Sequence, residues 1–262
     1  MITLINAQSS TITLPLTMGW TRVPFEKRVP VERLVGNGGV ISGRQTIEPR
    51  RFQLNGSIFM LGSNTTHSQV KQANIDWFDS LQYFLKFTPV EVQRNDGRRI
   101  LAYPTSVDQN WVDDDEELEL TISMIAPEPF FYGPVESEDE VGIGQTDVPH
   151  DFTLTTGGSH RSYPVITMVM KSGTMIDPSF ECGSYKIELD GSFDFDVYDP
   201  DTIVIDAKCM RVTVNGISAI NTVGDDFLVK GFPLLIGDNV ITFNATGTFE
   251  VDINFTWYPL WL

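Results

Sequence analysis

The sequence predicts a mainly β protein with one inserted helix, organised as two successive β units. Three observations predict it. Most of the 262 residues fall into short runs in which apolar and polar residues alternate, the period of a strand with one buried face. Gly, Pro, Asn and Asp separate those runs at short intervals, which is turn chemistry. The alternation breaks once, between Thr65 and Leu85, where apolar residues recur every three to four positions, and then resumes.

In the first unit, Phe52-Gln53-Leu54-Asn55-Gly56-Ser57-Ile58-Phe59-Met60 alternates and reads as a strand, with Gly56 as a candidate bulge. Thr65 or Ser68 can cap the helix that follows, over about residues 66–85. Val70, Ala73, Trp77, Leu81 and Leu85 share one face, with Phe78 and Phe84 beside it, so the helix is expected to pack on a sheet through an aromatic stripe. Val90 and Val92 begin a strand that reaches Asn95-Asp96-Gly97, a strong hairpin turn, and Arg99–Tyr103 returns. The run Asp113-Asp114-Asp115-Glu116-Glu117 lacks the spaced ligands and central Gly of a calcium loop and reads as a solvated hairpin tip. Leu118, Leu120, Ile122 and Met124 then alternate with polar residues, as in a half-buried antiparallel strand.

Ala126 to Pro134 holds three prolines, a glycine and the aromatic triplet Phe130-Phe131-Tyr132, which ends the first unit. The expected organisation is a first domain over 1–135, an acidic linker over 136–147 and a second domain over 148–262. The second domain shows no helical period. Its expected strands begin at Phe152 and Leu154, followed by Pro164–Met170, Tyr185–Leu189, Phe193–Val197, Thr202–Asp206 and Arg211–Val214. Asn215-Gly216 is the best hairpin signal in the chain. Val240–Phe243 and Phe249–Trp257 complete the set. Strands at this spacing indicate a two-sheet β-sandwich.

Composition argues against several functions. Residues 1–133 hold 12 basic and 15 acidic residues, and residues 134–262 hold 6 and 20, so the second part supplies most of the net charge of −17. Such a chain is repelled by nucleic acid and by anionic membranes. The segment from Met1 to Asn6 shows no basic region leading into an apolar run, so synthesis and folding in a cytoplasm are expected. Cys182 and Cys209 are the only cysteines and are expected as buried free thiols. His67, His150 and His160 lie outside any HxxxH or HExxH spacing, and no nucleophile elbow or phosphate-binding loop occurs. Asp194, Asp196, Asp199 and Asp201 form the densest acidic group of the second half, and a strand face plus an Asp-Pro-Asp turn explains them without a metal. No catalytic, cofactor or metal site is expected. The positions that stand out are basic: Arg22, Lys27, Arg28, Arg33, Arg44, Arg50 and Arg51. Interleaved with Glu26, Glu32 and Glu48, they form no nucleic-acid stripe; they are either a solvated mixed surface or a surface that meets the acidic face of a second copy. A head-to-tail contact of that kind closes into a ring when the rotation fits.

Three stretches together resemble the distal tail protein, Dit, of long-tailed non-contractile (siphovirus-type) phages. They are RRFQLNGSIF (Arg50–Phe59) followed by the single helix, ELELTISMIAPEPFFYG (Glu117–Gly133), and Asp201–Phe243 with its Asn-Gly hairpin and Gly237-Asp238-Asn239 turn. The resemblance covers nearly the whole chain and rests on the order of the motifs, since each alone is generic. It implies a tail-tube-like first domain that forms a homo-hexameric ring and a galectin-like sandwich on the ring's outside. It further implies a non-enzymatic virion protein of the tail tip, a baseplate hub with no cofactor and no membrane anchor. Its partners would be its own copies, the tail tube protein and the tail-tip fibre or receptor-binding protein, around a channel for the genome. Some relatives carry an inserted carbohydrate-binding module, and no stretch here is long enough for one. The competing readings are a carbohydrate-binding sandwich, a tube or baseplate subunit of a related tail machine and, more distantly, a secreted β-sheet hydrolase.

Overall fold

The computed structural model describes residues 2–14, 19–22, 27–28, 31–33, 40–42, 46–47, 49–59, 67–112, 117–194 and 200–262. The chain divides into two units, Met1–Phe131 and Tyr132–Leu262. The first contains strands β1 (Ile2–Ile5), β2 (Thr11–Leu14), β3 (Gly19–Arg22), β4 (Lys27–Arg28), β5 (Val31–Arg33), β6 (Val40–Ser42), β7 (Thr46–Ile47) and β8 (Arg50–Phe59). Helix α1 (His67–Leu85), β9 (Val90–Gln93), β10 (Arg99–Val112) and β11 (Glu117–Ala126) follow, and the chain passes between units at β12 (Phe131–Tyr132). The main sheet runs in the order β2-β1-β9-β10-β11-β8-β3, with β4–β7 and β5–β6 as two small separate ladders.

Alternation dictates which face is covered. Along β11, Leu118, Leu120, Ile122, Met124 and Ala126 are buried while the residues between them stay partly open. Phe52 and Leu54 of β8, Val90 and Val92 of β9, and Ile100 and Ala102 of β10 are buried likewise. Gly56 sits in regular register with Leu120, so β8 carries no bulge beside β11. The irregularity falls instead on β10, between Pro104 and Ser106. The expected Asn95–Gly97 turn closes the β9–β10 hairpin, with Arg94 N–H donating to Arg98 O at 2.8 Å and Gly97 N–H to Arg94 O at 3.1 Å. The acidic tip at 113–116 lies outside the described residues, and its flanking strands pair up to Val112–Glu117.

No Pro or Gly interrupts α1. Its buried side chains are Val70, Asn74, Phe78, Leu81, Phe84 and Leu85. The expected face is therefore rotated by about one position: Ala73 is exposed and Trp77 half-buried. The reason is Asn74, a polar residue placed at the centre of the covered face, which drew the apolar reading onto its neighbour. Ser68 is the second residue of the described helix, and Thr65 falls outside the described residues. At the other end Asn6 is buried and donates through Nδ2 to Phe84 O at 3.4 Å, a second bond to a terminal carbonyl that also accepts from Phe87 N–H at 3.2 Å. Its Oδ1 accepts from the N–H groups of Gln8 and Ser10. One side chain thus ties the helix end to the β1–β2 turn.

The second unit contains β13 (Glu136–Gly144), β14 (His150–Thr156), β15 (Val165–Cys182), β16 (Tyr185–Glu188), β17 (Ser192–Asp194), β18 (Thr202–Asp206), β19 (Arg211–Val214) and β20 (Ile217–Ser218). A short helix α2 (Asp225–Lys230) precedes β21 (Gly237–Trp257) and β22 (Leu260–Trp261). Strands β15 and β21 run antiparallel along almost their whole lengths, from Val165–Thr256 to Glu181–Thr242. One end of this ladder is extended by β13 on β21 and by β18-β19-β20 on β15. The other end is extended by β14 on β21 and by β16 and β17 on β15.

The ladder folds back on itself. Phe243 and Phe249 are six positions apart on one strand, roughly 20 Å if the strand were straight. Their ring centroids lie 6.4 Å apart. Phe180, register partner of Phe243, also meets Phe255 at 5.9 Å, and Phe152 meets Phe255 at 4.8 Å. The two ends of the ladder are therefore the facing layers of a sandwich, with these rings as its centre. The corner is made where β15 and β21 cross. Gly173 has φ +70°, and a Cβ there would stand 1.9 Å from Thr248 O; Gly247 has φ +100°, and its Cβ would stand 2.3 Å from Thr174 O. No side chain fits at either place.

Three expectations are corrected here. Residues 136–144 are not a linker but strand β13, paired with β21 from Glu136–Trp257 to Gly144–Glu250. Only Ile143 in it is buried, so an edge strand with charges on both faces carries the composition of a linker; those charges also discourage further pairing at the edge. Phe249–Trp257 and Val240–Phe243 are one strand bent at Gly247, not two. The unit also contains a helix, α2, whose six residues are too few to reveal a period.

Candidate assembly surface

The mixed charge of the first unit is where the sequence places a candidate contact surface. Register sets Arg22 of β3 opposite Phe52, Lys27 and Arg28 of β4 opposite Ile47 and Thr46, and Arg33 of β5 opposite Val40. Arg44 lies outside the described residues. Arg50 is half-buried, with its guanidinium carbon 5.1 Å from the centre of the Phe131 ring, and Arg94 reaches the same ring at 5.3 Å. Arg50 thus makes a cation–π contact within its own unit. Arg51, one residue on, points to the opposite side of β8 and is exposed.

Arg51 lines a groove of about 430 Å³ over strands β8, β11 and β10, together with Gln53, Thr105, Ser106, Ser123 and Ile125. The groove exists because β10 slips register between Pro104 and Ser106, opening its ladder with β11. Gln53 Nε2 donates to Ser123 Oγ at 3.2 Å, and Thr105 Oγ1 donates to Ser123 O at 3.1 Å. One amide, three hydroxyls and one guanidinium line it, with Phe52, Met124 and the half-buried Ile125. The described lining offers hydrogen bonds and one positive charge, with neither an acid–base pair nor an activated nucleophile.

On the same face β10 presents Leu101 and Tyr103, 45% and 40% exposed, while Ile100 and Ala102 between them are buried. Leu101 is the register partner of Glu91, whose carboxylate pairs with Arg99 at 3.4 Å, and Tyr103 is the partner of half-buried Ile125. An apolar strip with a charged margin results. Sequence reasoning missed it, although the unbroken run Ile100-Leu101-Ala102-Tyr103 was its signal: a strand apolar at consecutive positions has apolar groups on both faces.

Among the described residues no cluster of His, Cys, Asp or Glu has the makings of a metal site. Asp194 and Asp201 are engaged in hydrogen bonds: Asp194 Oδ1 accepts from its cross-strand partner Thr174 Oγ1 at 2.7 Å, and Asp201 accepts from Asp194 N–H at 2.8 Å and Asn215 Nδ2 at 2.9 Å. Asp196 and Asp199 fall outside the described residues. His150 stacks edge-on against Phe152, and His160 is pushed below the ordinary histidine range by partial burial, with a smaller contribution from the charge of Arg161. Both cysteines are free; Cys209 is exposed and Cys182 half-buried, so the expectation of buried thiols is corrected. The surface reason is local, since Cys209 sits in the β18–β19 turn. No helix among the described residues is long and apolar enough to cross a membrane.

No protein-family model matches the sequence, and no curated protein does. Solved structures do. Two structures of the phage P2 baseplate in its activated conformation, with Ca and with Sr, align over 97% of both chains at 7% identity, with TM-scores of 0.47 and 0.42, too low to carry weight. The crystal structure of the SPP1 Dit protein, described as a paradigm of hub adsorption apparatus in phages that infect Gram-positive hosts, aligns over 100% of both chains at 15% identity with a TM-score of 0.66. Across its whole length, then, the chain has the fold of a phage Dit protein.

Proposed function

We propose that this chain is the ring-forming hub subunit of a phage tail tip, joining the tail tube to the receptor-binding apparatus. One observation carries the reading: the end-to-end likeness to the SPP1 Dit protein, with 100% of each chain aligned. A shared sandwich alone would leave one unit unmatched. The surface chemistry supports the same role. A groove with hydrogen-bonding groups and an exposed guanidinium, beside an apolar strip, suits contact with another chain better than turnover of a small molecule. Copies that meet head to tail around an axis enclose a channel. Arg51, Leu101 and Tyr103 are the described residues best placed to take part in that contact. Six copies, the tube as neighbour and a virion location at the tail tip belong to the same proposal, as does a structural rather than enzymatic role.

Electron microscopy of purified particles tests the reading, because a ring templated by the tube need not form in isolated protein. The expected result is a ring with a central channel at the tail tip, decorated by an antibody against this chain. Particles that lack the chain, or that carry it away from the tip, would sink the proposal.

A further inference from the structure

The turn before β21 is pinned at both ends and displays two aliphatic side chains. On one side Leu234 is buried and exchanges two backbone hydrogen bonds with Ser162, at 2.9 and 3.0 Å. On the other, buried Asn239 clamps the loop. Its Oδ1 accepts from Leu235 N–H at 2.7 Å, and its Nδ2 faces Leu235 O at 2.8 Å, Gly237 O at 3.0 Å and Leu154 O at 3.3 Å. Between these anchors Leu235 and Ile236 are 53% and 58% exposed, and Val240 just beyond is 53% exposed. Val240 stands opposite Thr153 and is bracketed by two threonine–aspartate pairs, Thr155–Asp238 at 2.7 Å and Thr242–Asp151 at 2.6 Å. The result is a rigid aliphatic knob with an acidic margin. A floppy loop would lose conformational entropy on docking; a clamped one has already lost it.

Resting on the hub reading, we infer that Leu235, Ile236 and Val240 dock into an apolar pocket rimmed by Lys or Arg on a different protein of the tail tip. Charge selects the occupant. The second unit carries 20 acidic and 6 basic residues. Of those six, Lys171, Lys186 and Lys230 are paired with acids of the same unit. A second copy's sandwich is repelled, and so is an anionic membrane. A glycan finds no aromatic ring among the three side chains to stack on. A partner with basic residues around an apolar seat meets both features of the knob at once.

Photo-crosslinking in assembled particles tests this, with Ile236 replaced by p-benzoylphenylalanine. The expected adduct joins position 236 to another tail polypeptide, at an apolar segment flanked by Lys or Arg. Adding Leu235→Ser, a surface change, should lower the yield about tenfold. An adduct only to another copy of this chain, only to lipid or glycan, or one indifferent to Leu235→Ser overturns the inference. So does the absence of any adduct when mass spectrometry finds the chain in the tip. A particle without the chain overturns the hub reading and the docking with it, which keeps the two failures apart.

Discussion

On α1 the ring of Phe78 is buried, and Trp77, one residue earlier, is half-buried. Sequence reasoning favoured the larger ring. The structure reverses the order: Phe78→Ala empties a closed site and is expected to lose about 3–5 kcal/mol, while Trp77→Ala is expected to lose about 1–2 kcal/mol. Urea unfolding of both variants checks it, and equal losses would return the helix to its first phase. A hairpin glycine and a corner glycine give a second contrast. Gly97 closes a hairpin with nothing within 4 Å of a would-be Cβ, so Gly97→Ala costs only its left-handed backbone, about 1–2 kcal/mol. At Gly247 the same backbone term is joined by a carbonyl oxygen 2.3 Å away, and no side-chain rotation can relieve a backbone clash. Gly247→Ala should therefore cost more than about 3 kcal/mol, or leave the unit unfolded. A Gly247→Ala variant as stable as Gly97→Ala would show that β15 and β21 do not cross so closely.

At the scale of elements, what could be read from the sequence was what local chemistry decides. The alternation of β11 and the turns at Asn95–Gly97 and Asn215–Gly216 follow from side-chain period and from residues that tolerate positive φ, and the structure has them where they were expected. Continuity was not legible. Residues 165–182 and 237–257 each form one strand, because backbone pairing runs on through Gly173 and Gly247 although the apolar pattern stops there. Strand β13 was illegible for the opposite reason: its burial is a single residue, Ile143, and its hydrogen bonds come from β21, more than a hundred positions away. The apolar strip at Leu101 and Tyr103 needed knowledge of which sheet face the helix leaves bare. These distinctions predict the course of limited proteolysis. Paired backbone resists cleavage, so Glu136–Gly144 should stay intact while first cuts fall in the exposed turn 145–147. Early cuts between Glu136 and Gly144 would return that segment to a linker.

For the whole molecule, charge is divided unevenly, and the division bears on assembly. Residues 132–262 carry 20 acidic and 6 basic residues, a net of −14, and residues 1–131 carry 15 and 12, a net of −3. Copies brought together in a ring repel most through their second units and least through their first, so contact between first units carries the smaller electrostatic cost. Arg51 tests whether the groove is that contact. Its side chain is exposed and lines the groove, so reversing its charge should barely touch the fold. Arg51→Glu is expected to shift Tm by no more than about 2 °C, as surface changes of a few tenths of a kcal/mol do. Placed against a neighbour's acidic surface, the same reversal turns attraction into repulsion, which costs several kcal/mol at a desolvated interface. Particles made with Arg51→Glu should then lack tail tips, and a compensating acid-to-lysine change on the neighbour should restore them. Intact tips on Arg51→Glu particles would remove the groove from the interface while leaving the fold, and its likeness to Dit, untouched.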